Sequence, residues 1–306
     1  MSPSAGVEVD VGGRTLSISN LDKVLYPEAG FTKGQVIDYY TRISPVLVPH
    51  LRQRPLTLKR YPNGVDGQFF YEKNCPSHRP SWIPTVAVWS SRNKADVNYC
   101  LIDETAAVVW VANLASLELH PSLSQAADID RPRVAVFDLD PGPPAAMPEC
   151  ARVGMWLREL FEGWGLESFP KTSGSKGLQV YVPLNGPVTY DDSKPFAHAV
   201  ARLLEDRHRD LVLSVMRKDL RAGKVFIDWS QNDSAKTTIG VYSLRARPRP
   251  TVSTPVTWDE VAAAAEGGDP ASMVFEAPQV LERVATHGDL FAPVLELEQS
   301  LPQNVL

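Results

Sequence analysis

One segment constrains the fold more than any other: the apolar run Val134–Phe137, followed at once by Asp138-Leu139-Asp140. Four consecutive apolar residues, bounded by the turn residues at 141–144, predict a short buried strand. Residues two apart on a strand point to the same face, so the Asp138 and Asp140 side chains lie about 6.5–7 Å apart. Carboxylates this close repel each other, and Mg²⁺ or Mn²⁺ would relieve that repulsion.

A third carboxylate, Asp228, ends another strand-like run at residues 225–229. Three carboxylates at strand ends are what two-metal phosphoryl chemistry needs, with the metals about 3.5–4 Å apart. A solvated Asp-x-Asp at a strand-to-turn junction is the alternative, and for that motif alone it is the better interpretation. The remaining motifs of the chain favour the metal site.

Composition excludes several classes of protein. The chain has 306 residues, 43% of them hydrophobic and 22% charged, as in an ordinary globular protein with an ample core. Its apolar runs are too short to span a bilayer, and its first residues carry no signal-peptide pattern. Cys75, Cys100 and Cys150 are odd in number and without metal-ligand spacing, which argues against structural zinc and for a reducing cytoplasm.

The net charge of -5 averages two unlike regions. Residues 256–306 contain nine acidic residues and one basic residue, whereas residues 217–249 contain eight basic residues and three acidic ones. A basic body in front of an acidic tail favours a protein that contacts a polyanion, although the tail is also explained as a solvated helix.

Periodicity predicts the elements that position these motifs. A capping box of Thr32 and Gln35 opens a helix that ends at about His50. A second helix runs from about Glu104 to near His120. Between 133 and 244 the predicted order is β-α-β-β-α-β-β, with its last strand at 238–244, which is typical of an α+β fold.

Residues 173–177, Ser-Gly-Ser-Lys-Gly, join two predicted strands. Glycines let the backbone approach an anion, serine hydroxyls donate, and Lys176 adds a charge, so beside the carboxylates this turn is a candidate cradle for a triphosphate. On its own it is an ordinary hairpin turn. Arg221 and Lys224 precede the Asp228 strand, and further bases including Arg245 follow it.

Two further clusters are candidate nucleic-acid contacts. Lys33 lies in the first turn of the capped helix, where free N–H groups favour anions, and Asn20 and Lys23 complete a phosphate pocket if their turn folds back. The adjacent Phe69 and Phe70 follow the basic Lys59-Arg60 pair, and an exposed phenylalanine there would stack on bases. The alternatives are an ordinary surface lysine at Lys23 and two core aromatics.

Together these segments resemble the polymerase domain of bacterial ligase D, a member of the archaeo-eukaryotic primase superfamily. The matching segments occur in the family order and span about residues 15–290: they are 20–27, 59–65, 117–120, 136–142, 172–178, 220–232 and 242–245. The resemblance implies a primase-polymerase fold with central antiparallel or mixed sheets flanked by helices. It implies one polymerase domain over 1–306, with a DNA-binding part at about 1–130, a catalytic sheet part at 131–255 and an acidic helical tail at 256–306.

The resemblance also implies roles for individual residues. Two Mn²⁺ or Mg²⁺ ions would be held by Asp138, Asp140 and Asp228. The incoming nucleoside triphosphate would be bound by His120, Ser173, Lys176, Gln179, Arg221 and Arg245, with His120 beside the sugar. A downstream DNA 5′-phosphate would be bound by Asn20, Lys23 and Lys33, and the template by Lys59, Arg60, Phe69 and Phe70. Gln179 departs from the histidine usual in the family, which puts that contact in doubt because glutamine carries no charge.

The implied function is template-dependent nucleotidyl transfer that fills short gaps or extends ends in bacterial DNA repair, by end joining or excision repair, with a preference for ribonucleotides. The partners would be gapped or broken DNA with a 5′-phosphate and, for a stand-alone primase-polymerase, a separate ATP-dependent DNA ligase. The implied location is the cytoplasm, at the nucleoid during repair. Two alternatives stay open: a metal-dependent glycosyltransferase that uses the Asp-x-Asp, and a non-catalytic module that binds DNA ends.

Overall fold

The structure is a computed structural model that describes residues 6–302. Its strands are β1 (Val7–Val11), β2 (Arg14–Ile18), β3 (Val24–Tyr26), β4 (Phe31–Thr32), β5 (Leu56–Arg60), β6 (Phe70–Glu72), β7 (Thr85–Ser90), β8 (Ala95–Cys100), β9 (Ser116–Pro121), β10 (Ser124–Gln125), β11 (Asp128–Pro132), β12 (Val134–Pro141), β13 (Phe169–Thr172), β14 (Leu178–Pro183), β15 (Val212–Leu213) and β16 (Val225–Asp228). Its α-helices are α1 (Lys33–Leu51), α2 (Thr105–Asn113), α3 (Met147–Gly163), α4 (Tyr190–Arg207), α5 (Trp258–Ala265), α6 (Ala277–His287) and α7 (Pro293–Glu296). Across residues 6–302, no helix is both long and apolar enough to cross a membrane.

The chain forms two compact units, each made of three segments. Among the described residues, the first unit contains 6–122, Ile239–Val252 and Glu276–Gly288. The second unit contains Leu123–Thr238, Ser253–Phe275 and 289–302.

The first unit is organised around strand β5. This strand pairs antiparallel with β9, β6 and β8, and β8 continues the sheet to β7. Helix α1 packs against α2 and anchors the unit through two buried tyrosines. The Tyr40 hydroxyl donates to the Leu117 carbonyl of β9 at 2.7 Å, and the Tyr39 hydroxyl donates to the Tyr242 carbonyl at 2.8 Å.

The second unit is built on the five-stranded sheet β13-β14-β12-β16-β15. All its pairs are antiparallel except β15–β16, so the sheet is mixed. Alternation along β12 sends Phe137 and Leu139 into an apolar core shared with helices α3 and α4, and it sends Asp138 and Asp140 to the opposite face. The predicted α+β class with helices flanking a mixed sheet is confirmed.

The best-predicted elements are those with a local signal. Helix α1 begins after Thr32, whose hydroxyl accepts from the Gln35 N–H while the Gln35 side chain accepts from the Thr32 N–H. The Asp-x-Asp strand, β12, also forms where the pattern places it.

The predicted helix from Glu104 to His120 is wrong in its second half. Helix α2 ends at Asn113, Ala115 takes a left-handed φ of 56°, and Ser116–Pro121 continues as strand β9. Spacings of three and four residues through this apolar segment match a helix, but pairing with β5 selects the period of two. His120 therefore lies on a strand.

The strand predicted at 238–244 is also absent from the described part of the chain: residues 241–242 form a turn, and Leu244 makes only an isolated bridge to Val252. Tyr242 has a left-handed φ of 62°, which interrupts any ladder at that point. Gly240 approaches Leu119 closely, and its N–H donates to the Leu119 carbonyl at 2.8 Å.

The cysteines differ from expectation as well. Cys75 and Cys100 form a disulfide, with Cα atoms 4.9 Å apart, and Cys150 is a buried free thiol. The segment after β6 folds back onto β8, where the Cys75 N–H donates to the Asn98 carbonyl at 2.6 Å. A pairing set by this long-range return carries no local sequence signal.

Candidate active site

Four polar side chains form a row across one face of the second unit's sheet. The four residues are in register on neighbouring strands: Lys171 on β13, Gln179 on β14, Asp138 on β12 and Asp228 on β16. Neighbouring strands lie about 4.8 Å apart, so the four side chains stand side by side. Asp140 lies two residues beyond Asp138 on the same face, which places the three predicted carboxylates at one end of the sheet.

The electrostatics of this row favour a bound cation. Burial, together with the nearby charges of Asp140 and Asp228, raises the pKa of Asp138 to about 7, against the opposing effects of Gln179 and Lys171. Like charges directly opposite on neighbouring strands destabilise a sheet. A divalent cation among these carboxylates would remove that cost.

The carboxylates are not gathered into a finished metal cluster. Within residues 6–302, no group of three histidine, cysteine, aspartate or glutamate side chains is placed to hold a metal ion. Asp228 accepts three hydrogen bonds: from the Ser230 hydroxyl at 2.5 Å, from the Ser230 N–H at 3.1 Å and from the Gln231 amide at 2.8 Å. A carboxylate has about four acceptor sites, so Asp228 keeps capacity for a cation, with some reorientation.

The turn at residues 173–177 is held by its own hydroxyl. Ser173 Oγ accepts from the Gly177 N–H at 3.1 Å and from the Ser175 N–H at 3.3 Å. Gly177 lies so close to β12 that a Cβ there would be 2.0 Å from the Leu139 carbonyl oxygen, which requires glycine. Lys176 is exposed at the tip of the turn. The turn is therefore rigid and fixed against the carboxylate strand.

Arg221 lies on the carboxylate side of the same sheet. Its Nη1 is 3.9 Å from Asp140 Oδ2, and its guanidinium lies 4.1 Å from the centre of the Phe226 ring. Phe226 pairs with Asp140 across β12 and β16, which explains how the arginine reaches the carboxylate.

Gln179 is fully engaged despite its departure from the family pattern. Its Oε1 accepts from the ammonium of Lys171 at 2.5 Å, and its amide nitrogen donates to Thr238 Oγ1 at 3.3 Å and to the Asp138 carboxylate. An ammonium only donates, so this contact orients the amide with its N–H groups toward Asp138. Lys171 is itself completely buried and also donates to Ser253 Oγ at 2.7 Å.

A second cluster lies in the first unit, around the buried carboxylate of Glu118. Glu118 Oε2 is 2.9 Å from His120 Nε2 and 3.4 Å from Lys59 Nζ, and Glu118 Oε1 is 3.3 Å from Arg245 Nε. The Ala246 N–H also donates to Oε1 at 3.0 Å. Three predicted ligand-binding side chains therefore contact one carboxylate.

The aromatic residues beside this cluster are exposed, as a stacking surface requires. Phe69 is 50% exposed and Phe70 is 43% exposed. The Lys59 ammonium lies 4.4 Å from the centre of the Phe69 ring and 5.5 Å from that of Tyr71, and Arg60 lies 5.1 Å from that of Phe70. Tyr71, 57% exposed, extends the predicted surface beyond the phenylalanine pair.

The predicted phosphate pocket forms in part. The turn at 20–23 does fold onto the start of α1, but its carbonyls take the helix donors: the Lys33 N–H donates to the Lys23 carbonyl and the Gly34 N–H to that of Leu21, each at 2.8 Å. The expectation of free N–H groups there is wrong. The cationic side chains remain, with Lys33 Nζ 2.7 Å from the Ser19 carbonyl oxygen.

Burial and the neighbouring charge of Lys23 lower the pKa of Lys33 to about 8. Lys23 Nζ lies 3.3 Å from Asn63 Oδ1, and Asn20 is exposed with a left-handed φ of 55°. A cationic cluster therefore lies at the N-terminal end of helix α1, formed by Lys23 and Lys33 with Asn20 beside them.

The predicted residues divide between the two units. The first unit holds Asn20, Lys23, Lys33, Lys59, Arg60, Phe69, Phe70, His120 and Arg245. The second unit holds Asp138, Asp140, Ser173, Lys176, Gln179, Arg221 and Asp228. Sequence reasoning missed Glu118 and Lys171. The alternation that places Glu118 on the face of His120 was a usable signal, whereas the burial of Lys171 depends on long-range packing.

Comparison with known proteins gives consistent matches. A family model described as LigD, primase-polymerase domain, matches residues 32–291. The multifunctional non-homologous end joining protein LigD of Mycolicibacterium smegmatis is 44% identical over 279 residues, which cover 90% of this chain and 36% of that protein. The bifunctional non-homologous end joining protein LigD of Bacillus subtilis is 28% identical over 292 residues, which cover 95% of this chain and 46% of that protein.

A solved structure, the polymerase domain from Mycobacterium tuberculosis ligase D in complex with DNA, matches with a TM-score of 0.85 and 41% identity. The match covers 92% of this chain and 98% of that one. The chain spans less than half the length of the two curated relatives but almost all of this solved domain.

Proposed function

Because the chain belongs to the LigD primase-polymerase domain family, we propose that it is a template-dependent nucleotidyltransferase that fills short gaps or extends ends in DNA repair. The observation that carries the proposal is the row of Gln179, Asp138 and Asp228 across three strands, with Asp140 beside it. The family assignment favours this function over the glycosyltransferase.

The residues of the row fit divalent cations. Oxygen ligands are those that Mg²⁺ and Mn²⁺ prefer. Burial and the charges of Asp140 and Asp228 raise the pKa of Asp138, and a cation would cancel the repulsion among the carboxylates. Asp138, Asp140 and Asp228 would hold the ions. When bound, the ions supply charge neutralisation at the attacking 3′-hydroxyl of the primer and at the departing pyrophosphate.

The side chains around the row would bind the nucleoside triphosphate. Lys176 and Arg221 supply cationic donors to phosphate oxygens, and the fixed backbone of the 173–177 turn holds Lys176 in place. Gln179 supports Asp138 through its amide N–H, so its departure from histidine does not disconnect the metal site. The family resemblance implies nucleotide contacts for Arg245 and His120 as well.

The first unit would hold the DNA. Exposed Phe69 and Phe70, with Lys59 and Arg60 against their rings, suit stacking on template bases and pairing with phosphates. The cationic cluster at the start of α1 suits a downstream 5′-phosphate. The substrate would be gapped or broken DNA in the cytoplasm, at the nucleoid, and an ATP-dependent ligase activity would seal the product.

Primer extension with Mn²⁺ on gapped DNA tests the proposed function. A polymerase adds nucleotides to the primer. Turnover of a sugar nucleotide without extension would instead indicate the glycosyltransferase, and tight DNA binding without any turnover would indicate an end-binding module.

Replacing His120 by alanine should lower the preference for ribonucleotides. A hydrogen bond to the 2′-hydroxyl that deoxyribose cannot make is worth about 1–3 kcal/mol, so the ribo/deoxy ratio of kcat/KM should fall about tenfold. Steady-state extension of a one-nucleotide gap with each sugar gives the ratio. Equal kcat/KM of the wild type for ribonucleotides and deoxyribonucleotides would contradict this role of His120.

The 5′-phosphate preference should weaken above pH 8. The pKa of Lys33 is lowered to about 8, so its positive charge is present below that pH and is lost as the pH rises through it. Fluorescence anisotropy at constant ionic strength, with 5′-phosphate and 5′-hydroxyl gaps at pH 7 and pH 9, measures the ratio of affinities. Lys33→Arg is the control, since arginine stays charged and should flatten the profile. An equal wild-type ratio at both pH values would contradict the role of Lys33.

A further inference from the structure

Glu118 has no assigned role, although it contacts three residues that do. Its side chain is only 2% exposed, and it stands directly opposite Lys59 across β5 and β9. His120 follows two residues later on the same strand face. Burial alone raises its pKa, but the hydrogen bond from His120 and the charges of Arg245 and Lys59 hold the pKa of Glu118 well below its usual range. Glu118 is therefore an ionised carboxylate.

An ionised carboxylate only accepts hydrogen bonds, and this decides the protonation of His120. The contact at 2.9 Å joins Glu118 Oε2 to Nε2 of the ring, so Nε2 carries the hydrogen and donates. Burial, with the charges of Arg245 and Lys59, lowers the pKa of His120 against the opposing effect of Glu118. The ring is therefore neutral, and its other nitrogen, Nδ1, keeps a lone pair.

Nδ1 makes no hydrogen bond with any residue in the described range, and the His120 side chain is 13% exposed. The lone pair on this partly exposed ring nitrogen can accept a hydrogen bond from a ligand hydroxyl. Beside a ligand without that hydroxyl, the lone pair stays unpaired. A ribose 2′-hydroxyl is such a donor, whereas deoxyribose has none.

We propose that Glu118 is the positioning residue for sugar selection: it fixes His120 in the Nε2–H tautomer, so that Nδ1 accepts the 2′-hydroxyl of an incoming ribonucleotide. The same carboxylate holds Arg245 and Lys59, which couples the proposed nucleotide and template contacts. This inference rests on the proposed function for its substrate, but the tautomer is a property of the free protein.

The variant Glu118→Gln reverses the donor pattern without changing size. The Ala246 N–H and Arg245 Nε both contact Oε1, and they would claim the single amide oxygen of glutamine. The amide NH₂ would then face both His120 and Lys59. His120 Nε2 must accept, which moves the hydrogen to Nδ1, whereas the Lys59 ammonium cannot accept and would give up its contact with residue 118 while keeping the one with the Phe69 ring. The 2′-hydroxyl would lose its acceptor.

The test combines ¹⁵N NMR of the imidazole nitrogens with the ribo/deoxy ratio of kcat/KM. In the NMR spectra, the wild type should show the Nε2–H tautomer, and Glu118→Gln should shift toward Nδ1–H. The ribo/deoxy ratio of Glu118→Gln should fall about 3- to 10-fold, as expected for the loss of one hydrogen bond. In a His120→Ala background, Glu118→Gln should leave the ratio unchanged, because the residue acts through His120. Glu72→Gln is the matched control, since Glu72 pairs with Arg60 on the same sheet at 2.7 Å and should change neither readout.

An Nδ1–H tautomer in the wild type would overturn the proposal even if every variant failed to fold. So would an unchanged ratio in a folded Glu118→Gln protein, or a further fall of the ratio in the His120→Ala background. Failure of the proposed function is separate: it would show as a wild type that extends no primer while its His120 tautomer is still Nε2–H.

Discussion

Replacing Asp138 or Asp228 by alanine should abolish nucleotide addition while leaving DNA binding largely intact. The two carboxylates stand opposite each other in register across β12 and β16, and either truncation removes one of the three carboxylates proposed to hold the ions. Metal charge stabilisation is worth several kcal/mol, so extension should fall by about a thousandfold or more. Extension of a gapped primer in Mn²⁺, beside anisotropy with the same DNA, measures both effects.

Asp140→Ala should behave in the same way. Asp233→Ala is the matched control, because Asp233 pairs with Lys194 at 2.6 Å and lies outside the proposed site. Near-normal extension by any of the three site variants would disprove the three-carboxylate assignment. A thousandfold loss in the control would mean that the assay reports folding and not metal binding.

Loss of both Lys23 and Lys33 should erase the preference for a 5′-phosphate. Helix donors are occupied by the Leu21 and Lys23 carbonyls, so recognition must depend on the side-chain charges. Each charge-assisted hydrogen bond is worth about 1.5–3 kcal/mol, so the wild type should bind a phosphorylated gap about 10- to 100-fold more tightly than a hydroxyl gap. In Lys23→Ala with Lys33→Ala the two gaps should bind equally, at fixed salt.

The double variant should still extend an open template-primer, since no residue of the second unit is changed. Lys94→Ala, in the β7–β8 hairpin, is the control for loss of a surface charge. Lys33 is buried, so thermal unfolding of the double variant and of Lys33→Met separates a binding defect from a folding defect. Equal affinity of the wild type for the phosphorylated gap and the hydroxyl gap would contradict the proposed 5′-phosphate pocket.

The sequence predicted elements wherever the decisive interaction is local. The capping box at Thr32 and the apolar run before Asp138 both specify structure through neighbours in the chain, and both elements formed as expected. The family resemblance is likewise confirmed by the match over residues 32–291. The segment around His120 failed because its apolar spacing fits a helix and a strand, and only pairing with β5 decides between them.

Parts of the site depend on partners far away in the chain. The engagement of Gln179 by Lys171 and of Lys171 by Ser253 joins residues eight and 82 positions apart. Similarly, nothing in the sequence around Lys33 reveals that its backbone N–H is taken by Lys23. Side-chain types at a site can be predicted from motifs, but the use of each donor and acceptor follows from packing.

Gln179 shows the difference in practice. Read from the sequence, its replacement of a histidine raises the alternative of an inactive site. In the structure the amide is held by the Lys171 ammonium and donates to Asp138, so the carboxylate keeps its support. This arrangement supports an active enzyme.

The proposed enzyme copies a template, and addition of single nucleotides opposite a known base tests this. Four gapped duplexes that differ only in the first unpaired template base are each incubated with Mn²⁺ and one ribonucleotide at a time. Each template should select its complementary nucleotide, and Asp138→Ala should add none. Addition that ignores the template base, or no addition by the wild type on any of the four duplexes, would contradict template copying.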